Sequence, residues 1–331
     1  MTRIQQVLFE MQGPYLGHPY FVSGHALFNA IARRVDERVR RALQVSTGVF
    51  VPGIYGSYPG WHSRSGGVPY LGTQLRPVES YADLFLFRDA VQRWVSGSRP
   101  RDAQNTFDVQ EYGGRRAFAP EVRFGLPAAH RYSKRTVTWY VQCYLHAAGA
   151  EDVIPLSEDV LDGLRVGGAR NYGFGGLAVK DTQTVDVESL DFACLEAAQA
   201  SGEGFQLELV SPYVLRSEFP GADDQDVPWW WDVDAADTGA VEDAGQNRPG
   251  GGLRRRESRL AMGDEVHELE VVDHGQIVDY AGSDPIETAI NGILRVGTHA
   301  KYGFGEFRVW PRSANRVPER SSGASMRGGD V

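Results

Sequence analysis

Two glycine-rich loops carry the residues of this chain that are best suited to bind a phosphate group. Loop 1, residues 167–175, reads GGARNYGFG, and loop 2, residues 297–305, reads GTHAKYGFG. Glycine has no side chain to keep an anion away from backbone N–H groups, and cationic side chains beside those groups attract the anion. The two loops therefore predict phosphate-binding sites.

The residue types suggest which positions make the contacts. The predicted contact residues in and just before loop 1 are Arg165, Gly167, Gly168, Arg170, Asn171, Tyr172, Gly173 and Gly175. Those in and just before loop 2 are Arg295, Gly297, His299, Lys301, Tyr302, Gly303 and Gly305. The alternative interpretation is that the glycines only make a tight connection between a helix and a strand.

The two loops belong to a duplicated module. Leu-Arg-Val precedes the first glycine of each loop, and Tyr-Gly-Phe-Gly ends both loops at one constant spacing along the chain. The start of each half is also repeated, because a strand pattern ends in Gly13-Pro14-Tyr15 and again in Ser211-Pro212-Tyr213. Self-similarity at a fixed spacing indicates two copies of one structural unit.

Each loop is predicted to follow a helix and to precede a strand. Ser157 opens the first helix pattern, and Ser283-Asp284-Pro285 opens the second with a capping residue and a proline in the first turn. Strand patterns follow at 177–179 and 307–310. P-loops and dinucleotide-binding motifs have the opposite order, strand before helix, so this arrangement disfavours a nucleotide-binding fold.

Both halves show a similar series of predicted elements. In the first half, a strand at 4–11 precedes a helix capped by Ser23 that runs to Leu43, and alternating residues at 137–145 predict a further strand. In the second half, a strand at 205–210 precedes a hairpin with strands at 265–272 and 276–280. We therefore predict an α+β protein with two tandem ferredoxin-like (RRM-like, βαββαβ) domains, each ending in a glycine-rich loop and carrying insertions.

The same patterns give the domain boundaries. The first ferredoxin-like domain is predicted at 1–185, a junction at 186–204 and the second domain at 205–312. An acidic insertion that contains tryptophans occupies 216–262 of the second domain. The polar, glycine- and serine-rich tail at 313–331 is predicted to be disordered.

The charge balance is acidic and poor in lysine. The formal net charge is −9, and the lysines are Lys134, Lys180 and Lys301. This composition is typical of a salt-loaded cytoplasm, as in halophilic archaea, although high genomic GC content also favours arginine over lysine. High salt confines electrostatic interactions to a few ångströms, so an acidic protein of this kind would bind nucleic acid through local arginine contacts.

The remaining composition excludes several classes of protein. Cys143 and Cys194 are too few for a disulfide framework or a zinc site, and no cluster of His, Cys and carboxylates has metal-ligand spacing. We therefore expect no metal and no cofactor. No apolar run approaches the length of a membrane span and no signal-peptide pattern is present, which predicts a cytoplasmic protein without membrane association.

These features resemble the RAMP superfamily of CRISPR-associated proteins. The resemblance lies in residues 296–307, in their copy at 166–176, and in the small-residue opening of the first helix at 23–30. Proteins of this superfamily contain one or two ferredoxin-like domains and typically end in a glycine-rich loop. The resemblance implies binding of guide RNA (crRNA) or other single-stranded RNA, together with other CRISPR-associated subunits, in an antiviral ribonucleoprotein complex.

The resemblance leaves competing roles. We favour a non-catalytic subunit that grips the repeat-derived end of the guide through its glycine-rich loops. The second role is a metal-independent endoribonuclease that processes precursor crRNA and leaves a 2′,3′-cyclic phosphate. The third is the repeating backbone subunit, which usually has a single such domain and fits least well. A duplicated ferredoxin-like scaffold without an RNA role is the alternative from a different class.

The endoribonuclease hypothesis depends on a histidine near the first helix. Cleavage without metal proceeds by attack of a 2′-hydroxyl on the adjacent phosphate, with a histidine moving the proton and a tyrosine among the groups that stabilise the oxyanion. His25 is the candidate general acid or base, with His18 as the reserve and Tyr20 close to both in the sequence. The alternative is that His25 only caps or packs the helix.

Three further groups of residues each have two interpretations. The run Arg254, Arg255 and Arg256 suits a flexible loop that clamps RNA, or a solvated charged surface. Tyr140 and Tyr144 suit base stacking on an open sheet, or burial under the other half. The tryptophans at 229–231 suit a partner surface, or an anchor for the insertion.

Overall fold

Antiparallel β-sheets with few helices make up the described part of this α+β protein. The structure is a computed structural model that describes residues 2–17, 21–52, 74–75, 77–85, 104–106, 121–124, 139–232, 253–262 and 265–314. All strand ladders among these residues are antiparallel. No helix in the described part of the chain is both long enough and apolar enough to cross a membrane.

The first half is built around a central strand, β1. Its strands are β1 (Arg3–Gln12), β2 (Tyr15–Gly17), β3 (Phe21–Val22), β4 (Leu43–Val45), β5 (Gly48–Pro52), β6 (Gln104–Thr106), β7 (Glu121–Phe124), β8 (Trp139–Ala147), β9 (Leu164–Arg165) and β10 (Gly176–Asp186). The main sheet has the order β3-β5-β8-β1-β10-β9, with β4 also paired to β8, while β2, β7 and β6 form a separate small sheet. The predicted strands at 4–11 and 137–145 are confirmed as β1 and β8.

The second half has two smaller sheets. Its strands are β11 (Phe205–Leu209), β12 (Tyr213–Ser217), β13 (Trp231–Asp232), β14 (Arg255–Met262), β15 (Glu265–Val272), β16 (Ile277–Tyr280) and β17 (Phe307–Pro311). One sheet has the order β13-β16-β11-β17 and the other has the order β12-β15-β14. The strands predicted to follow the two loops are confirmed as β10 and β17.

The predicted hairpin of the second half is wrong, although both of its strands exist. β15 pairs with β12 and β14, whereas β16 pairs with β11 and β13, so the two strands lie in different sheets. The short connection between β15 and β16 forms backbone hydrogen bonds to the chain just before β14 and to the end of β11. Asp273 donates its backbone N–H to Arg254 O at 2.9 Å, and Gly275 donates its own to Leu209 O at 2.7 Å. These contacts carry the chain from one sheet to the other.

Five α-helices in the described part of the chain pack beside these sheets. They are α1 (Gly24–Ala32), α2 (Glu37–Ala42), α3 (Glu158–Leu161), α4 (Ala193–Ala200) and α5 (Pro285–Leu294). The helix predicted from Ser23 to Leu43 is broken after Ala32. Asp36 begins a new helix because its carboxylate accepts a hydrogen bond from the backbone N–H of Val39 at 2.8 Å, a typical N-cap contact.

The apolar residues form two large cores. The first packs α1 against one face of the main sheet and includes Val7, Phe9, Leu27 and Ile31. The second joins the halves, because Ile4, Tyr144 and Val185 of the main sheet pack in the same cluster as side chains of β11, β17 and α5. Burial of apolar surface at this shared core holds the two halves together.

Candidate nucleic-acid interface

The two glycine-rich loops close in the same way. Val166 donates its backbone N–H to Gly175 O at 3.0 Å, and Val296 donates to Gly305 O at 3.0 Å. A Cβ atom on Gly175 would lie 1.8 Å from Val166 O, and one on Gly305 would lie 1.9 Å from Val296 O. Both glycines also have positive φ angles, +67° and +75°. The last glycine of each loop is therefore required by the local backbone, whatever the loop binds.

Each loop is also tied to the proline turn that ends the first strand of its half. Gly175 donates its N–H to Pro14 O at 2.8 Å, and Gly305 donates to Pro212 O at 2.8 Å. The two proline turns, which the sequence repeats, are thus the acceptors for the two repeated loops. This pair of contacts accounts for the repetition of both motifs in structural terms.

The tyrosine that follows each proline packs under the first glycine of the loop. A Cβ on Gly167 would lie 2.7 Å from Cε2 of Tyr15, and one on Gly297 would lie 3.0 Å from Cε2 of Tyr213. Both rings are buried. The interpretation in which the glycines make a tight connection therefore has direct support at the first and last glycine of each loop.

The arginine that precedes each loop makes the same bond in both copies. Arg165 donates from its guanidinium to Arg170 O at 2.9 Å, and Arg295 donates from Nε to Ala300 O at 3.0 Å. Each arginine thus spans its own loop and fixes the carbonyl at the loop tip. Part of the basic character that predicted phosphate binding serves to hold the loop in shape.

Loop 2 lies between the two halves of the molecule. The ring of Tyr302 meets the ring of Phe28 edge-on, with centroids 5.1 Å apart. Lys301 donates from Nζ to Arg41 O at 3.1 Å and also lies 5.0 Å from the Phe28 ring centroid. A Cβ on Gly303 would lie 2.9 Å from the backbone nitrogen of Thr47. The tip of loop 2 is therefore packed against the first half.

The cationic side chains predicted for loop 2 contact protein groups. Arg295 is 6 % exposed and its Nη2 lies 2.9 Å from Nδ1 of His146 on β8. Burial, with the positive charge of Arg295, lowers the pKa of His146 to about 3. Nε2 of His299 lies 2.7 Å from the hydroxyl of Ser217, and burial lowers the pKa of His299. The neutral rings act here as hydrogen-bonding groups between and within the halves.

Loop 1 has the opposite environment, because its tip faces solvent. Arg170, Asn171 and Gly173 are exposed, and Tyr172 is 66 % exposed. A Cβ on Gly173 would meet no atom within 4 Å, although its φ of +85° is nearly that of Gly303, +87°. The loop that closes in the same way in both halves is thus open in the first half and covered in the second.

A cavity lined by arginines opens beside the tip of loop 1. Its volume is about 410 Å³, within the range of ordinary ligand sites. Its lining residues are Ala30, Arg33, Arg34, Gly163, Leu164, Arg165, Arg170 and Asn171. Four of these are arginines and none is acidic. In a chain of net charge −9, this is a local concentration of positive charge suited to an anion.

The arginines of this cavity have two roles. Arg34 donates to the carbonyl oxygens of Val160, Asp162 and Gly163, so it fixes the end of α3 to the end of α1. Arg33 and Arg170, both exposed, form no ion pair with any described residue. Their guanidinium groups are available to bind phosphate oxygens through charge-assisted hydrogen bonds.

Sequence reasoning missed Arg33 and Arg34 as site residues. They stand at the end of α1, far along the chain from loop 1, and a basic run on the polar side of a helix has no preferred partner. The end of α1 reaches loop 1 only because β9 and α3 pack beside it. The one signal in the sequence was the density of arginine after Ala32.

The arginine run predicted as a flexible clamp is part of a β-strand. Arg255 and Arg256 begin β14, and their partners lie on the next strand or the turn after it. Arg255 forms an ion pair with Glu270 at 3.0 Å, and Arg256 forms one with Asp273 at 3.4 Å. The guanidinium of Arg254 lies 3.5 Å from His274 O. Because Arg255 and Arg256 belong to a strand, the prediction of a flexible loop is wrong. Their ion pairs favour the interpretation as a solvated charged surface.

His25 lies in a small cavity between α1, loop 2 and β14. Its Nδ1 is inaccessible to solvent and has no hydrogen-bond partner among the described residues, while Nε2 is 3.5 Å from the hydroxyl of Ser23. Burial lowers the pKa of His25 to about 4. The cavity has a volume of about 50 Å³, and Arg256, Ser258 and Arg259 are among its lining residues. His18 and Tyr20 lie outside the described residues.

The aromatic residues singled out in the sequence are mostly buried. Tyr140 and Tyr144 are 4 % and 3 % exposed, so neither offers an open stacking surface. Trp231 is buried and its ring lies 5.1 Å from that of Tyr213, so it anchors the insertion. Trp230 packs 5.1 Å from the Phe307 ring, and Trp229 is 77 % exposed.

No protein-family model matches this sequence, and a search of curated proteins gives no match.

Proposed function

We propose that this protein binds the phosphodiester backbone of RNA in the arginine-lined cavity beside loop 1. The observation that carries the proposal is the cavity itself, in which four arginines and an asparagine meet with no carboxylate among the described lining residues. Two of the arginines, Arg33 and Arg170, are exposed and form no ion pair with a described residue. An arginine guanidinium group can bind two oxygens of one phosphate at once, and RNA presents phosphate groups at regular intervals.

We further propose that the RNA is a guide RNA and that the protein is a RAMP-type subunit of a CRISPR-type complex. The strand order β5-β8-β1-β10 corresponds to the second, third, first and fourth strands of a ferredoxin-like unit. In the second half, β13, β16, β11 and β17 likewise stand in the order of the second, third, first and fourth strands of such a unit. Both support two ferredoxin-like domains. The second half departs from the pattern, because no described helix stands between its first two core strands.

The sequence predicted phosphate binding by both loops, but we do not propose it for loop 2. Arg295, His299 and Tyr302 contact protein groups in the structure, so their side chains offer no open phosphate site. We therefore assign RNA binding to loop 1 and the end of α1, and a joining role between the halves to loop 2.

The test is the salt dependence of RNA binding by paired arginine variants. Arg33→Gln combined with Arg170→Gln removes two cationic side chains without adding charge. Fluorescence anisotropy with a labelled single-stranded RNA, across a salt series, is expected to show a slope of log affinity against log salt smaller by about 1.4, since each lost phosphate contact removes about 0.7. The matched control is Arg38→Gln with Arg255→Gln, two arginines that already form ion pairs, with Asp152 and Glu270. Equal slopes for the cavity variant and the native protein would contradict the proposal.

A second candidate function, a metal-independent endoribonuclease, is favoured by the buried and unpartnered Nδ1 of His25. In that reaction the 2′-hydroxyl gives up its proton as its oxygen bonds to phosphorus, the bond from phosphorus to the 5′-oxygen breaks, and the 5′-oxygen takes up a proton. Arg256 and Arg259, which line the same cavity, are suited to the phosphate charge. The cavity of about 50 Å³ is much smaller than a ligand site, so this function requires the halves to separate locally.

The endoribonuclease is tested with repeat RNA in the presence of EDTA. A 2′,3′-cyclic phosphate product that is lost in His25→Ala, and retained in the control His274→Ala, would support it. Intact RNA after incubation with the native protein would leave binding as the function.

A further inference from the structure

The side chains of the arginine cavity beside loop 1 offer a ligand mostly hydrogen-bond donors. The guanidinium groups of its four arginines, Arg33, Arg34, Arg165 and Arg170, carry N–H donors and no acceptor. The other polar side chain among the described lining residues is that of Asn171, whose amide has two N–H donors and an oxygen acceptor. Phosphate oxygens are acceptors, so they satisfy the guanidinium groups but not the Asn171 oxygen. A ligand that matches the whole lining therefore has a donor close to its phosphate.

Hydrogen bonds within loop 1 hold the backbone at Asn171 in place. Asn171 is the middle residue of one turn of 3₁₀ helix, Arg170–Tyr172, in which Tyr172 donates its N–H to Ala169 O at 2.9 Å. The guanidinium of Arg165 donates to Arg170 O at 2.9 Å and ties this turn to the residue before the loop. Asn171 is exposed on the fixed turn. A ligand that binds its amide therefore has little loop entropy to overcome.

Loop 2 shows what a side chain at this position reaches. Lys301 is the middle residue of the corresponding 3₁₀ turn, Ala300–Tyr302, and its Nζ donates to Arg41 O of the first half at 3.1 Å. A side chain at this position of the turn thus bonds to a group that lies against the loop. In loop 1 an amide takes the place of the ammonium group, so the side chain can accept a hydrogen bond as well as donate one.

We infer that Asn171 accepts a hydrogen bond from a ribose 2′-hydroxyl of the RNA whose phosphate lies in the arginine cavity. The inference rests on the proposed function and makes Asn171 the residue that distinguishes RNA from DNA. The 2′-hydroxyl is both a donor and an acceptor, and its carbon is bonded to the carbon that carries the 3′-phosphate. It is therefore a donor next to the bound phosphate, whereas the donors of the bases lie on the far side of the sugar. The site thus selects RNA over DNA of the same charge.

The test compares three single strands of one length and base sequence by fluorescence anisotropy at one salt concentration. The probes are RNA, the corresponding DNA with uracil retained, and RNA with a methyl group on each 2′-oxygen. The native protein is expected to bind RNA roughly 3- to 10-fold more tightly than either other probe, the effect of one neutral hydrogen bond. Asn171→Ala is expected to lose this preference and to keep the native affinity for DNA, which presents the same phosphates. The matched control is Asn291→Ala, which removes an exposed amide from α5 and is expected to keep the preference.

The outcomes separate the inference from the proposed function. If the paired variant of Arg33 and Arg170 binds every probe as the native protein does, the proposed function fails. If that variant weakens binding but Asn171→Ala keeps the native preference for RNA, the inference alone fails. An equal loss of affinity for RNA and DNA in Asn171→Ala would also overturn the inference, since Asn171 would then act through the phosphate or the shape of the loop. A changed preference among base sequences, with the preference for RNA unchanged, would assign Asn171 to a base edge instead.

Discussion

Loop 1 and loop 2 share their first glycine and their Tyr-Gly-Phe-Gly end and close in the same way, but they have opposite surroundings. Both close through the same valine-to-glycine bond, and both are held by the proline turn of their own half. The tip of loop 1 faces solvent, while the tip of loop 2 is enclosed by α1 and by the chain around Thr47. The comparison shows that a motif of this kind specifies a loop shape and leaves the choice of ligand or protein neighbour to its environment.

The cover over loop 2 depends on a small residue at the start of α1. A Cβ on Gly24 would lie 2.4 Å from Tyr302 O and 2.8 Å from the Cα of Gly303. The helix can therefore approach loop 2 only with glycine at this position. The described part of the second half has no such helix over loop 1.

The Leu-Arg-Val segments before the two loops also differ in backbone conformation, although their sequences are identical. Leu164 and Arg165 form strand β9, after a helix that ends at Leu161. In the second copy α5 continues to Leu294, and the chain reverses at Arg295 with φ of +68° and ψ of 144°. This conformation is unfavourable for a residue with a side chain. The bonds of the Arg295 guanidinium to Ala300 O and to His146 help to hold it.

The largest predicted effect is common to both loops. Gly175→Ala and Gly305→Ala each place a methyl group within 2 Å of a carbonyl oxygen, at 1.8 Å and 1.9 Å. We expect each to lower the free energy of unfolding by about 4 kcal/mol or more, among the most severe single substitutions. Urea unfolding followed by tryptophan fluorescence measures it. Gly202→Ala is the control, because its φ is +71° but its Cβ would meet no atom within 4 Å. If either variant lost as little free energy of unfolding as the Gly202→Ala control, the two loops would not close with the same tight contact.

The next prediction separates loop shape from loop surroundings. Gly303→Ala and Gly173→Ala meet the same unfavourable φ, +87° and +85°, but only Gly303 has backbone atoms of the first half at 2.9 to 3.0 Å. We expect Gly173→Ala to destabilise the protein by about 1 kcal/mol, the cost of φ alone, and Gly303→Ala by about 2 to 3 kcal/mol. Equal unfolding midpoints would mean that the contact between loop 2 and the first half contributes no stability.

The third predicted effect is a pH dependence that belongs to loop 2. His146 has its pKa lowered from 6.5 to about 3 by burial and by Arg295, so the folded protein keeps it neutral. Below pH 6.5 the unfolded chain takes up a proton that the folded protein does not, so stability falls as the pH decreases from about 6.5 toward 3. At pH 5 the loss relative to pH 7 is about 2 kcal/mol from this residue.

The measurement is the urea midpoint at pH 7 and pH 5 for the native protein and for His146→Gln. Glutamine offers an oxygen to the Arg295 guanidinium but takes up no proton in this range. We expect the variant to lose a large part of the pH dependence. An unchanged dependence would mean that other groups, such as His25, account for the acid sensitivity.

The sequence by itself determined several local elements of this protein, although not the break of the first helix at Ala32 or the pairing of β15 and β16. Alternation of apolar residues predicted β1 and β8, the Asp284-Pro285 signal predicted α5, and the repeat predicted two equivalent loops tied to equivalent strands. These features depend on residues that are close in the sequence, and periodicity and capping encode such relations directly. The exposure of loop 1, the burial of loop 2 and the meeting of Arg33 with Arg170 depend on packing between distant segments. Only the tertiary structure decided them, because two related loops acquire different neighbours when one lies at the contact of two halves and the other at the surface.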